Sequence, residues 1–128
     1  MTARKPEECD LFLMEAMNRG DLEAAVALYE PTATLVQDPS GQAVTGRAAI
    51  RDAIGAYLAL NLQMTRDTCV LQNADGDLAM TGGRWKSTGT GPDGAPIALT
   101  GNSREVVRRQ ADGTWLFAID NPWGAGIE

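Results

Sequence analysis

The chain has 128 residues, room for one domain at the usual ~100 to 200 residues each, and 17 acidic against 11 basic side chains set its net charge at −6. That charge argues against nucleic acid or an anionic lipid surface as a partner. Histidine is absent, which excludes Ser-His-Asp, Cys-His and His-metal mechanisms and leaves acid–base chemistry to a carboxylate, lysine or tyrosine of shifted pKa.

In chain order, Arg4 and Lys5 are followed by no apolar run, so neither a secretory signal nor a membrane span is read and a cytoplasmic protein is expected. Residues 7–19 carry Cys9, Phe12, Leu13, Ala16 and Met17 at helical spacing, and Gly20 ends that helix. Asp21 is placed to cap a second helix, whose Leu22, Ala25, Val26 and Tyr29 form its apolar stripe until Pro31 stops it. Cys9 and Cys69 have no second sulfur ligand at metal-binding spacing; both read as packing thiols, and no metal or cofactor is expected.

A β-prone run at 33–36 leads into Asp38-Pro39-Ser40-Gly41, which has the composition of a tight turn. Thr45 and Gly46 open a third helix with Ile50, Ala53, Ile54, Tyr57 and Leu58 on one face and Arg47, Arg51 and Asp52 turned to water. Four long runs follow at 62–74, 77–88, 96–110 and 114–121, separated by Asp75-Gly76, Pro92-Asp93-Gly94 and Asp112-Gly113. Such corners make an antiparallel meander, and runs of this length must bend, with Gly82-Gly83 and Gly101 as the expected bulges. The loop 89–95 lacks the Lys-Ser/Thr of a phosphate cradle and reads as a hairpin connection, and 124–128 as a short tail. The fold class is α+β: three N-terminal helices packed in a strongly curved, mainly antiparallel sheet, a cone around a hollow.

The block Asn18-Arg19-Gly20-Asp21-Leu22-Glu23-Ala24-Ala25-Val26-Ala27-Leu28-Tyr29, then Ala33 to Pro39, Thr45-Gly46-Arg47 and the closing Val106 to Trp115, resembles the nuclear transport factor 2 superfamily, in its ketosteroid-isomerase-like and SnoaL-like branch. The likeness runs from about Glu7 to Trp123 and implies one such domain over 1–128. In steroid isomerases of this family a general-base aspartate lies in an Asp-Pro step after the first strand, which Asp38 matches. The family's oxyanion hole pairs a first-helix tyrosine with a protonated aspartate, a case the known enzyme exemplifies; Glu105 stands at the aspartate's position and Leu13 at the tyrosine's. Limonene-epoxide hydrolases share the fold, and Asp120 matches their last-strand aspartate. Arg84 is the nearby arginine, but Lys86 stands where their second acid would follow.

Side chains two apart on a strand share a face, so the resemblance turns Thr34, Val36 and Asp38, then Ser103, Glu105 and Val107, then Leu116, Ala118 and Asp120 inward, with Met80 and Arg84 beside them. Asp38, Glu105 and Asp120 are the catalytic candidates. Leu13, Met17, Val36, Ile54, Tyr57, Met80, Arg84, Val107, Leu116, Ala118 and Trp123 are the candidates to line a site for a small hydrophobic molecule. Trp115, Phe117 and Ile119 then face outward and are expected to join two copies into a homodimer through the sheet's outer face.

Each candidate has a plainer reading. Asp38 can simply fasten its turn, Glu105 and Arg84 can neutralise one another as a buried pair, and Asp120 can hold the loop at Asn121 and Pro122. The methionines can be core filler, and Trp123 can either close over a flat ligand or seal the core end. Function therefore stands between an isomerase-, cyclase- or hydrolase-like enzyme using carboxylates and a non-catalytic homodimeric binding or association module.

Overall fold

The structure is a computed structural model and describes residues 1–124, so the expected tail lies, past Gly124, outside the described residues. Helix α1 (Pro6–Asn18) starts with proline at a first-turn position that needs no N–H, and the Glu8 carboxylate accepts the Arg4 and Lys5 amides at 2.7 and 3.1 Å. Gly20, at φ 72°, turns the chain out of it. Asp21 caps α2 (Leu22–Val26) by accepting the Ala24 amide at 3.0 Å.

That second helix is shorter than its apolar spacing implies. Tyr29 opens strand β1 (Tyr29–Val36), which runs through Pro31, because the sheet takes this segment: the Phe117 amide donates to the Leu28 carbonyl at 2.8 Å and the Tyr29 ring packs on Phe117 at 5.0 Å. Tertiary pairing outweighs a five-residue helix's weak propensity here. Strand β2 (Ala43–Thr45) and helix α3 (Arg47–Leu58) follow, with Ile50 and Ile54 buried. Arg47, expected in water, donates two hydrogen bonds to the Tyr29 carbonyl and ties α3 to β1.

The run expected at 62–74 is two strands, β3 (Gln63–Arg66) and β4 (Cys69–Gln72), both antiparallel to β5 (Leu78–Thr90). Strands β6 (Pro96–Arg109) and β7 (Trp115–Asn121) complete a curved sheet in the order β2-β1-β7-β6-β5-β3, antiparallel except where β1 meets β7. The helices pack on its concave face as a cone-shaped α+β fold, with Cys9, Ala16, Val26, Ile50, Val107 and Phe117 in the core. Fully burying a side chain such as Phe117 contributes about 1.5 to 3 kcal/mol. No helix among the described residues is long and apolar enough to cross a membrane.

The expected glycine bulges are absent: β5 and β6 pair in unbroken register through Gly82-Gly83 and Gly101. These glycines instead permit close approach. The Asp67 carbonyl, where β3 breaks from β4, occupies the place a Cβ on Gly83 would need, and a Cβ on Gly101 would sit 2.7 Å from the Trp85 indole nitrogen. The ladder irregularity falls elsewhere, where Val106 and Val107 pair with Ile119 and Phe117 and leave Ala118 as the extra residue of β7.

Candidate functional site

The bulge at Ala118 decides what the cavity contains. Before it Trp115 and Phe117 point into the core, and after it the alternation restarts so that Asp120 also points inward. The expectation that Trp115, Phe117 and Ile119 share an outward face is therefore overturned for the first two, while Ile119 is exposed. Leu116 and Ala118, expected inward, are half-buried and do not line the cavity.

One row crosses the concave face: Leu35 of β1, Asp120 of β7, Glu105 of β6 and Thr81 of β5 are successive register partners. Tyr29 donates its phenol to Asp120 Oδ2 at 2.5 Å, and Thr81 donates to Glu105 Oε1 at 2.9 Å. From the helix side Asp10 joins them, because helical spacing puts it beside Cys9 on the buried stripe of α1. Arg66, at the end of β3, lies 3.7 Å from both Asp10 Oδ2 and Glu105 Oε1. Its own hydrogen bonds go to the Ser103 hydroxyl, the Asp67 carbonyl and the Thr68 hydroxyl.

Two buried carboxyls, Asp10 and Glu105, thus share one guanidinium, and Asp120 lies beside Glu105 across the ladder. Burial pushes Glu105 up to about 10, aided by the charges of Asp10 and Asp120, so that it holds its proton at neutral pH. Burial pushes Asp120 up to about 7, and the Tyr29 hydrogen bond opposes that rise. Asp10 is raised by burial against the pull of Arg66. Burial, with the neighbouring Asp120 charge, also lifts the Tyr29 phenol well above its ordinary value, which keeps it a donor. The arrangement holds a proton-accepting carboxylate near neutrality next to a carboxylic acid.

The cavity, partly open to solvent, measures about 100 Å³. Leu13, Met17, Val36, Ile54, Tyr57 and Trp123 all line it, as do Glu105 and Asp120. Trp123 stacks edge-on against Trp85 at 5.1 Å, and the Trp85 indole donates to the Pro122 carbonyl at 2.6 Å, closing one end. Tyr57 shares a hydrogen bond of 2.6 Å with Ser87.

The other candidates lie elsewhere. Asp38 sits outside the cavity in its turn, accepting the Ser40 amide at 2.9 Å and the Ser40 hydroxyl, and these bonds hold its carboxyl below the usual range. The buried side chains of β1 are Tyr29, Ala33 and Leu35; of the set in phase with Asp38, Val36 reaches the cavity wall, while Thr34 bonds Thr45. Met80 and Arg84 occupy the outward phase of β5: Met80 is 52% exposed, and Arg84 reaches the exposed Asp67 at 3.5 Å, not Glu105. Val107 is buried in the hydrophobic core instead of the cavity wall.

Asp10, Tyr29 and Arg66 are the site residues that sequence reading missed. An aspartate adjacent to Cys9 on an otherwise apolar stripe was the available signal for Asp10. Arg66 carried none, because the run at 62–74 gave no sign of its break. Among the described residues, no group of three or more Cys, Asp or Glu side chains is arranged to hold a metal ion, and both cysteines are free.

A family model described as a SnoaL-like domain matches residues 12–118. The fold is similar to that of a proposed aromatic ring hydroxylase from Novosphingobium aromaticivorans, with TM-score 0.78 and 19% identity over 90% of this chain and 82% of that one. It is also similar to a ketosteroid isomerase-like protein from Erwinia carotovora atroseptica, with TM-score 0.73 and 20% identity over 90% and 89%. A third, an NTF-2 like protein from Shewanella oneidensis, gives 0.69 and 20% over 89% and 92%. No curated protein sequence matches the chain. With the family model matching most of the chain, from within α1 to within β7, the chain belongs to the SnoaL-like family of the nuclear transport factor 2-like superfamily.

Proposed function

We propose that the cavity binds a small, mainly apolar carbonyl compound and moves a proton on it, as an isomerase- or cyclase-type enzyme would. Tyr29 occupies Oδ2 of Asp120, leaving Oδ1 to take a proton from the carbon beside the substrate carbonyl. The electron pair moves onto the carbonyl oxygen, and the developing enolate accepts a hydrogen bond from the protonated Glu105. Asp120 then returns the proton to carbon. A base with a pKa near 7 suits such transfer, and a neutral carboxylic acid stabilises the oxyanion without adding charge.

The observation that carries this reading is the direct cross-strand pairing of Glu105 with Asp120 in a mostly apolar cavity, with both pKa values raised. The test is exchange of α-protons of butan-2-one in deuterated water, followed by NMR. Exchange that depends on Asp120 supports it, whereas rates equal to buffer alone would remove it.

A second reading rests on a different observation. On the outer face, Leu71, Met80, Val106 and Ile119 form one register row across β4, β5, β6 and β7, and Leu71, Met80 and Ile119 are 71%, 52% and 46% exposed. Such a row suits a homodimer, so a non-catalytic binding or association module built on the same dimer is the alternative.

A further inference from the structure

Asp10 on α1 and Glu105 on β6 are 1% and 2% exposed, and both meet the same Arg66 nitrogen at 3.7 Å. The guanidinium keeps its hydrogen bonds for Ser103, Asp67 and Thr68, and the Thr81 hydroxyl serves Glu105 Oε1 at 2.9 Å. Among the described residues no N–H or hydroxyl donates to Asp10 Oδ1, Asp10 Oδ2 or Glu105 Oε2, so the hydrogen bond open to these atoms is the one between the two carboxyls. That bond needs a proton, because an ionised carboxyl only accepts.

We propose that Asp10 is a positioning residue for Glu105: its carboxylate accepts the Glu105 proton, sets the direction of that O–H and keeps the proton on Glu105. Glu105 owns the proton because its position is the more negative one. The charges of Asp10 and of Asp120, its rung partner on β7, both act on it, whereas Arg66 is the main charge that favours ionised Asp10. With Asp120 ionised, as the proton-transfer reading needs, the cavity holds two carboxylates, one guanidinium and one neutral acid. Ionising Glu105 as well would set three carboxylates against a single cation. The Cys9 thiol beside Asp10 in the chain and the Tyr29 and Tyr57 phenols are all pushed up by burial and stay neutral, so they add no charge.

For its catalytic consequence the inference rests on the proton-transfer reading, and it deepens that reading: Glu105 stabilises the oxyanion by donating a hydrogen bond and does not hand its proton over. A carbonyl oxygen entering the cavity takes the O–H from Asp10, whose negative charge stays beside Arg66. No covalent bond to hydrogen breaks in that exchange. Full transfer to the enolate oxygen would leave Glu105 ionised next to Asp10, with one guanidinium between them and Asp10 as a like charge to resist it. Proton transfer is therefore left to Asp120, whose Oδ2 already takes the Tyr29 phenol.

The experiment follows the side-chain carboxyl carbons of Asp10, Glu105 and Asp120 by ¹³C NMR through a pH titration of the labelled protein. At neutral pH Glu105 is expected to show the shift of a carboxylic acid and Asp10 that of a carboxylate, and in mixed light and heavy water the isotope shift of the shared proton should appear on both carbons. Asp10→Asn should lower the Glu105 titration by about one pH unit or more, because it removes a like charge, and the falling limb of butan-2-one exchange should move down with it. An ionised Glu105 at neutral pH, or an isotope shift confined to Glu105, overturns the inference in the unaltered protein without needing a variant. An Asp10→Asn protein whose Glu105 titrates as before overturns it too. If both carbons show the isotope shift but butan-2-one does not exchange, the proton-transfer reading fails and the shared proton stands. If exchange proceeds and depends on Asp120 while no isotope shift reaches Asp10, only this inference fails.

Discussion

Glu105 and Asp120 are direct partners across β6 and β7, and both point into the cone, so the chain places a carboxylic acid and a carboxylate base at one rung of its ladder. Opposed side chains at such a rung have Cβ atoms about 4.5 to 5.5 Å apart. Two like charges at that spacing and depth cannot both ionise cheaply, which is why one of them keeps its proton.

Asp120→Asn is expected to lower α-proton exchange by about 10²- to 10⁴-fold, the usual worth of a positioned base. Glu105→Gln should also slow exchange, while the amide keeps a donor for the oxyanion and so retains more activity. Rates of the two variants measured side by side by NMR check the assignment; equal retention in both contradicts it.

Stability should fall as pH rises. Folding raises Glu105 from 4.5 to about 10 and Asp120 from 3.8 to about 7. The folded state therefore binds protons that the unfolded chain has lost, and the stability fully present below the unfolded pKa values is lost as pH climbs through the folded ones. The melting temperature should decline from about pH 5 to about pH 10, most steeply below about 7 where both groups contribute. Glu105→Gln should flatten the upper part of the curve. Calorimetry across that range supplies the check.

Arg66→Met is expected to destabilise the fold by about 3 kcal/mol, because it removes the cation beside the buried Asp10 carboxyl and a hydrogen bond to Ser103. Arg84→Ala should leave chemical denaturation unchanged, since that side chain is 82% exposed. The contrast separates the arginine in the cavity wall from the one that strand alternation suggested.

Tyr29→Phe removes the 2.5 Å hydrogen bond to Asp120 but keeps the ring on Phe117. Without the donor the Asp120 pKa should move upward, shifting the rising limb of the pH–rate profile to higher pH. A loss of about 1 to 2 kcal/mol of stability should accompany it. An unmoved limb would detach Asp120 from the reaction.

If two copies meet through the outer row, Met80→Lys or Ile119→Lys should convert a dimer to monomers in sedimentation velocity. A wild-type protein that sediments as a monomer contradicts the association outright.

Much of the fold was legible because its signals are local. The Asp21 cap, Gly20 at positive φ and the Asp-Gly corners act within a few residues, and each appears where the sequence puts it. The site was legible in part. Ser103, Glu105 and Val107 share a buried face on an uninterrupted strand, and two-residue alternation is reliable there. It failed on β7, where Ala118 adds a residue and reverses the phase, and on β5, where Met80 and Arg84 took the outward set.

By itself the sequence determined the order of elements, the family and the restriction of acid–base chemistry to carboxylates, lysine and tyrosine, since spacing and composition depend on neighbours along the chain. Only the tertiary structure decided that Asp10, Tyr29 and Arg66 join Glu105 and Asp120, and that Asp38 does not. That choice rests on a single-residue bulge, a strand break opposite Gly83 and the desolvation of groups far apart in sequence. Register and burial are properties of paired strands, and no one strand carries them alone.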